Sequence, residues 1–393
     1  MKQRFVLVAA LAACALMLAA LPVTLPHGDF DEYWAAGRLN AGGMNPYDAA
    51  AMLQEQRLNG WPDPRPVMMY NPPWTLALAM PVAQLDLQHA RSLWLLAQIL
   101  ICLWCASRVW AQNGGAPQYE VRIWCLALLW MPTVSALRMG QISPLVLLGL
   151  VGFVWSLEKR RDLTAGVFFA LTAVKPQLVA LIWVGWLLWT IREGRWKVML
   201  GTAAALGGAT LVAVAANPPV FSQYLHLMST QPPILDFESP NIATLIRVVL
   251  TAVFGTGTWP QYVPTAVGAG IVAWFWSRRY RTWDWAAELP WLVSLSCMAT
   301  SYGGWTFDLL ILLVPIIATA AVVARVGNGA LTAAAAALFL GVTLGSFAML
   351  VARYPEAMYL WVTPVVALCA GAVTRFARAR QTPGVLFQLH AHS

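Results

Sequence analysis

The chain has 393 residues, of which 59% are hydrophobic and only 11% are charged, and its formal net charge is +8. Soluble domains carry charge on about a quarter of their residues, so this composition excludes an ordinary soluble protein and indicates a membrane protein. The basic excess would also suit a nucleic-acid partner, and only the positions of the charges decide between the two.

Apolar runs recur along most of the chain. A run of about 20 apolar residues spans a bilayer as an α-helix, and shorter or broken runs do so inside a bundle. We therefore predict an all-α polytopic membrane protein with about twelve transmembrane helices. The predicted spans are 5–25, 88–110, 123–136, 142–157, 164–174, 178–191, 198–216, 262–276, 285–299, 309–323, 331–351 and 358–373. The first follows Lys2 and Arg4 and is interpreted as an uncleaved anchor rather than a signal peptide.

The basic residues divide unequally between the two sides of these spans. Of 25 Lys and Arg residues, 17 fall on the side of the N-terminus. By the positive-inside rule that side is the cytoplasm, so both termini are predicted to be cytoplasmic, in a bacterial inner membrane. The charge excess is then a topology signal, and no nucleic-acid partner is expected. Residues 1–380 are predicted to form one integral-membrane domain, followed by a short cytoplasmic tail at 381–393.

Two long outer loops result, at about 26–87 and about 217–261. Long ordered loops on a rigid scaffold often carry function. Both are expected to contain helices that lie at the membrane interface, and Pro73 to Leu85 is one of these because it is apolar but too short to span.

A broken hairpin is predicted in the middle of the chain. The basic clusters Lys159–Arg161 and Arg192–Lys197 must both be cytoplasmic, so the apolar residues between them turn back at Lys175-Pro176-Gln177. Proline frees backbone polar groups, which at membrane depth is tolerated only against protein or a water-filled cavity.

The first outer loop opens with three carboxylates in four residues, Asp29, Asp31 and Glu32. One interpretation is local: Asp29 caps a helix, Glu32 completes a capping box, and the helix ends at Gly42-Gly43. The other is a catalytic carboxylate, and an N-cap carboxylate can also be an active-site base.

Several motifs together resemble glycosyltransferase family 87, whose members are polyprenol-phosphate-sugar-dependent transferases of the GT-C fold. They are DFxxYWAAG from Asp29, GGxNPYD from Gly42, YNPPW from Tyr70, Gly140-Gln141, Lys175-Pro176-Gln177 and Asp308 at the start of a late span. The resemblance implies a catalytic carboxylate at Asp29, with Asp31 as the fallback, and a hexose, mannose by family analogy, as the transferred sugar. Family members often carry a histidine shortly before the late aspartate, but residues 301–308 contain none, which puts the acceptor contact in doubt.

The chemistry of such a transfer needs a base and a cation. The acceptor hydroxyl must lose its proton, and the departing phosphate gains charge. Lys175, Arg138 and Arg247 are the candidates for binding the donor phosphate. The residues expected to shape the substrate site are Tyr33, Asn45, Tyr47, Tyr70, Gln141, Gln177, His226 and Asp308. No cofactor is expected, although a divalent cation held by Asp29 and Asp31 stays open.

Two other functions fit the composition. A transporter or flippase for a lipid or lipid-linked sugar would suit many spans and a broken hairpin. An O-antigen ligase or polymerase would depend on loop Arg and His residues. The hydropathy shows no inverted repeat, and the carboxylates crowd an outer loop rather than the mid-membrane, so transfer is the leading prediction. The expected partners are the polyprenyl-phosphate donor, a lipid or glycan acceptor and membrane lipids, and the oligomeric state is left open.

Overall fold

A computed structural model describes residues 25–230, 239–255 and 259–381. Within these ranges all regular secondary structure is α-helical or 3-10 helical, which confirms the predicted all-α class. The predicted span 5–25 and the predicted tail 381–393 lie outside the described residues, except for their end residues 25 and 381.

The chain divides into two compact units, and the first comprises residues up to Cys102, 134–175 and 195–237. Its helices are α1 (Phe30–Ala41), α2 (Ala49–Leu58), α3 (Leu76–Val82), most of α4 (Leu87–Gln112), most of α6 (Met131–Met139), α7 (Ser143–Glu158), α8 (Asp162–Ala170), α10 (Trp196–Ala216) and α11 (Val220–Thr230).

The second unit comprises 103–133, 176–194 and the residues from 238 onwards. Its helices are the end of α4, α5 (Glu120–Leu129), α9 (Ala180–Arg192), α12 (Ile242–Phe254), α13 (Val263–Arg279), α14 (Trp285–Ala299), α15 (Leu313–Val326), α16 (Gly329–Val351) and α17 (Val362–Gln381). The segments predicted as long outer loops contain helices, namely α1, α2 and α3 in the first and α11 and α12 in the second. Their position at the membrane interface stays a prediction.

Five helical stretches among the described residues are long and apolar enough to cross a bilayer. They are Leu87–Gln112, Trp196–Ala216, Thr306–Val326, Gly329–Val351 and Glu356–Ala379. Two pairs of shorter helices, broken near Trp130 and at Lys175, raise the number to seven if each pair counts as one span. Helices occupy the other predicted spans in the described ranges, but they are shorter. Length and composition therefore support five to seven spans among the described residues, and the count of about twelve stays a prediction.

Glycines allow the closest helix contacts of the first unit. Gly166 of α8 and Gly201 of α10 face backbone of the opposite helix so closely that a Cβ on either would clash, and Thr202 Oγ1 donates to the Gly166 carbonyl at 3.0 Å. Likewise, a Cβ on Gly37 of α1 would lie 2.8 Å from the Ala79 carbonyl oxygen of α3. Small residues that let backbones approach are typical of helix packing in membranes, and here they fix α1 within its unit.

Candidate active site

Asp29 directly precedes α1, but its carboxylate bonds to the segment between α6 and α7 rather than to the helix. Its backbone has helical dihedral angles (φ −66°, ψ −14°) and the side chain makes no capping bond to α1. Instead the carboxylate accepts a hydrogen bond from Gln141 Nε2. Of the two interpretations of these carboxylates, the one in which Asp29 caps α1 is therefore wrong, while the helix ends at Gly42 as that interpretation expected. Asp29 remains partly exposed.

Asp31 faces the opposite way, because two residues of α-helix rotate a side chain by about 200°. It is only 1% exposed. Asp31 Oδ1 lies 2.7 Å from His27 Nδ1. Its Oδ2 accepts from the Gly28 backbone N–H and from Arg91 Nη1, both at 3.0 Å. Both oxygens of Asp31 are thus bonded inside the protein.

The Arg91–Asp31 ion pair ties the beginning of α1 to α4, and a second bond of Arg91 connects both to the end of α6. Arg91 is buried, and its Nη2 also donates to the Arg138 carbonyl at 3.1 Å. Gly28 allows this approach, since a Cβ there would lie 2.9 Å from the Met139 carbonyl oxygen. Removing one partner of a buried ion pair typically costs 3–5 kcal/mol, so this pair strongly constrains the residues next to Asp29.

The backbone at Gly140-Gln141 is fixed from three sides. Gly140 has φ +69°, and a Cβ there would lie 2.6 Å from Phe30 Cβ, so both the conformation and the space require glycine. Trp94 Nε1 donates to the Gly140 carbonyl at 2.9 Å, and Gln98 Nε2 donates to the Gln141 carbonyl. Gln141 is therefore held in one position between α6 and α7.

The Gln141 side chain bridges the carboxylate of Asp29 and the ammonium of Lys175. Its Nε2 donates to Asp29, while its Oε1 accepts from Lys175 Nζ at 2.8 Å and from the Tyr33 hydroxyl at 3.2 Å. Lys and the Tyr hydroxyl are donors here and a carboxylate is an acceptor, so the amide can have only this orientation. Lys175 Nζ also lies 3.5 Å from Ser143 Oγ. One amide thus brings the Asp29 carboxylate and the Lys175 ammonium together.

Lys175 lies at the predicted break of the hairpin, between 3-10 helices Leu171–Val174 and Pro176–Val179, and is 8% exposed. The residue before a proline avoids helical angles, which frees carbonyl groups of the preceding turn. The YNPPW motif satisfies two of them: Asn71 Nδ2 donates to Val174 O at 2.8 Å, and Trp74 Nε1 donates to Ala173 O at 2.9 Å.

The turn at Asn45 and Tyr47 supports this segment. Asn45 Oδ1 accepts from the Tyr47 N–H at 3.0 Å, and the Tyr47 hydroxyl donates to the Asn71 carbonyl at 3.1 Å. Burial raises the pKa of the Tyr47 phenol, and the neighbouring Tyr224 raises it further. Asn45 and Tyr47 therefore build the loop that holds Asn71.

Glu32 lies on the same face of α1 as Asp29, because residues three apart are neighbours on a helix. It is buried. Burial raises the pKa of the half-buried Tyr70 phenol, and the negative charge of Glu32 raises it further. Tyr70 is thus a neutral hydroxyl group beside a carboxylate.

The remaining candidate residues are Arg138, His226, Gln177, Arg247 and Asp308. In the first unit, Arg138 is exposed and lines a cavity of about 270 Å³, and His226 is exposed on α11. Gln177, Arg247 and Asp308 belong to the second unit. Asp308 is buried, and its Oδ2 accepts from the Trp305 N–H at 3.1 Å, so it caps the 3-10 helix Thr306–Leu312.

Comparison with known families now decides the class of protein. The family model of glycosyltransferase family 87 matches residues 69–301, more than half of the chain. This chain belongs to glycosyltransferase family 87. Comparison with curated proteins and with solved structures gives no match. The family 87 match includes Tyr70, Gln141 and Lys175, whereas Asp29, Asp31 and Asp308 lie outside the matched range.

In this family 87 member, the structure adds two residues to the cluster that sequence reasoning missed, Arg91 and Ser143. Glu32, which the sequence showed only as one of three crowded carboxylates, acts electrostatically on Tyr70. A charge inside an apolar run signals a buried partner, which would have drawn attention to Arg91. Nothing local distinguishes Ser143. In the part of the chain that the structure describes, no group of three or more His, Cys, Asp and Glu side chains is arranged to hold a metal ion.

Proposed function

We propose that this family 87 glycosyltransferase moves a hexose, with inversion, from a polyprenyl-phosphate-linked donor to a lipid or glycan acceptor on the outer face of the bacterial cytoplasmic membrane. The observation that carries the proposal is the Gln141 amide, which bonds to both Asp29 and Lys175. A displacement at a sugar phosphate needs a carboxylate to take a proton and a cation to receive the phosphate, and this one side chain holds the two together.

Asp29 acts as the general base. Its carboxylate takes the proton of the acceptor hydroxyl while that oxygen attacks the anomeric carbon of the sugar. The bond from this carbon to the phosphate oxygen breaks, and the polyprenyl phosphate leaves with the electron pair. A single displacement from the opposite face inverts the configuration. Positioned bases of this kind typically contribute 10²–10⁴ in rate.

Lys175 stabilises the leaving phosphate. Charge-assisted hydrogen bonds are strong where water is scarce, and a donor held in place before the reaction costs no reorganisation. Gln141 and Ser143 orient the ammonium, and the partial burial of Lys175 limits competition from water. Glu32 and Tyr70 offer an acceptor and a donor to the sugar hydroxyls beside this pair.

Asp31 is proposed to position Asp29 rather than to react. The donors of His27, Gly28 and Arg91 already bond to its two oxygens. Asp31 and Arg91 form a buried ion pair, which is costly to break. Asp29, by contrast, is partly exposed.

The outward orientation rests on charge. Because 17 of the 25 basic residues fall on the side of the N-terminus, the loop that holds Asp29 is proposed to face outwards and both termini the cytoplasm. Membership of family 87 favours sugar transfer over transport and over ligase activity. Mannose is the first sugar to test, and the mechanism requires no resident metal ion, since Lys175 supplies the cation.

The test is sugar transfer in membranes that contain the protein. Radiolabelled hexoses on polyprenyl phosphate, mannose first, are compared with the same hexoses on nucleotides, and lipid and glycan products are separated. We expect transfer only from the polyprenyl-phosphate donors, with the anomeric configuration inverted and with no loss after treatment with EDTA. Transfer from nucleotide-linked sugars alone would refute the proposed donor, and retention of configuration would refute the single displacement.

A further inference from the structure

The second unit contains a cleft of about 570 Å³, within the size range of ligand-binding pockets. We call it the Arg122 cleft, after its only charged lining residue. Its walls come from the end of α4 and from α5, α15, α16 and α17, and apolar side chains dominate the lining. None of the residues bonded to Gln141 lines it, so it is separate from the proposed active site.

The cleft has one polar end and one apolar end. Arg122 and Tyr119 line the end where α15 finishes and α16 begins, near Thr332. Towards the other end Trp130 stacks on Phe339, with ring centroids 5.9 Å apart, and both rings line the cleft.

The length of the Arg122 cleft matches the thickness of the hydrocarbon layer of one leaflet. Along α16 the lining extends from Thr332 to Val342, a distance of ten helical steps. At 1.5 Å per residue this is about 15 Å. The hydrocarbon core of a bilayer is about 30 Å thick. The cleft therefore suits the acyl chain of a lipid whose headgroup lies at the polar end.

Two guanidinium groups lie at that polar end. Arg122 is exposed, with its Cζ 5.0 Å from the centroid of the Tyr119 ring. Arg325 is also exposed and immediately follows the lining residue Ala324. The Arg325 side chain lies over the turn after α4, since a Cβ on Gly114 would lie 3.2 Å from Arg325 Cδ. Arginine is suited to phosphate because its fork of donors can bond two oxygens at once.

We infer that the Arg122 cleft binds one anionic diacyl phospholipid, with an acyl chain between α16 and its neighbours and the headgroup phosphate at Arg122 and Arg325. Basic pockets between transmembrane helices on the cytoplasmic side are suited to anionic headgroups. Both arginines belong to the side predicted to be cytoplasmic, opposite to the proposed face of Asp29. On that topology the bound lipid is in the other leaflet from the sugar donor and is not a substrate.

Lipid binding to the purified, delipidated full chain tests this inference by native mass spectrometry. The chain is titrated with phosphatidylglycerol, with phosphatidylethanolamine and with polyprenyl phosphate. We expect one phosphatidylglycerol to bind at least tenfold more tightly than phosphatidylethanolamine, and the paired change Arg122→Gln and Arg325→Gln to abolish that preference. Arg278→Gln is the matched control, since Arg278 is an exposed arginine that also stacks on an aromatic ring, that of Trp274.

A second pair of variants tests the acyl-chain site. Ala336→Phe places a ring in the cleft, whereas Ala334→Phe places the same ring on the part of α16 that does not line it. Binding of phosphatidylglycerol should fall at least tenfold in Ala336→Phe and stay unchanged in Ala334→Phe. Equal binding of the two phospholipids, full binding by the double arginine variant, or a preference for polyprenyl phosphate would each overturn the inference. None of these measurements uses sugar transfer, so a failure of the proposed function would appear separately.

Discussion

Replacing Asp29 with asparagine removes the proposed base and changes little else. The two side chains have the same shape, and an asparagine Oδ1 can still accept the hydrogen bond from Gln141 Nε2. The beginning of α1 is unaffected, because Asp29 does not cap that helix and the buried Asp31–Arg91 pair holds it. The loss is therefore confined to proton transfer, which is worth roughly 10²–10⁴ in rate. This corresponds to about 2.7–5.4 kcal/mol in the activation barrier.

The assay is the initial rate of radiolabelled hexose transfer from polyprenyl phosphate in membranes, normalised to the amount of folded protein. Asp29→Asn should lower kcat by at least a hundredfold and change the KM for the donor little. Asp48→Asn is the matched control: it lies in the same loop, caps α2 by accepting from the Ala51 N–H at 2.8 Å, and asparagine caps equally well. Transfer by Asp29→Asn at more than a tenth of the wild-type rate would refute the assignment of the base.

Three further outcomes follow from the same cluster. Lys175→Met should lower kcat/KM for the donor at least a hundredfold with the protein still folded. Lys175→Arg should retain a higher kcat/KM than Lys175→Met. Equal activity of Lys175→Met and wild type would contradict the phosphate contact. Arg91→Met should lower the free energy of unfolding by about 3–5 kcal/mol, seen as a lower Tm in detergent, and adding Asp31→Asn should restore part of it. The difference between the spectrophotometric titration curves of wild type and Tyr70→Phe should show a phenol that ionises above pH 10.0. Because the charge of Glu32 disfavours the phenolate, Glu32→Gln should lower that pKa, and an unchanged pKa would refute the contact.

The capping error at Asp29 shows where local rules fail. A carboxylate before a helix with a second one three residues later is the signature of a capping box, and α1 does begin there. The Asp29 carboxylate instead accepts a hydrogen bond from Gln141, 112 residues away in sequence. A tertiary hydrogen bond therefore replaced the local one, and no pattern within the first loop could have indicated it.

The sequence by itself determined the properties that depend on near neighbours in the chain. Apolar runs located the helices, Pro176 located the break at Lys175, and the ordered motifs indicated family 87, because hydropathy, backbone restriction and motif spacing are all local. The number of helices that cross the bilayer was not fixed in this way, since short and broken helices span only with the support of neighbours.

The tertiary structure gives Asp29 and Asp31 different surroundings. The two are identical in chemistry and separated by one residue, but the helix turns them to opposite sides, where Asp31 meets Arg91 from 60 residues away and Asp29 meets Gln141. The role of Gln141 likewise depends on its contact with Lys175, 34 residues later. Which groups can react is decided by such long-range contacts, because they set the exposure and the partners of each charge.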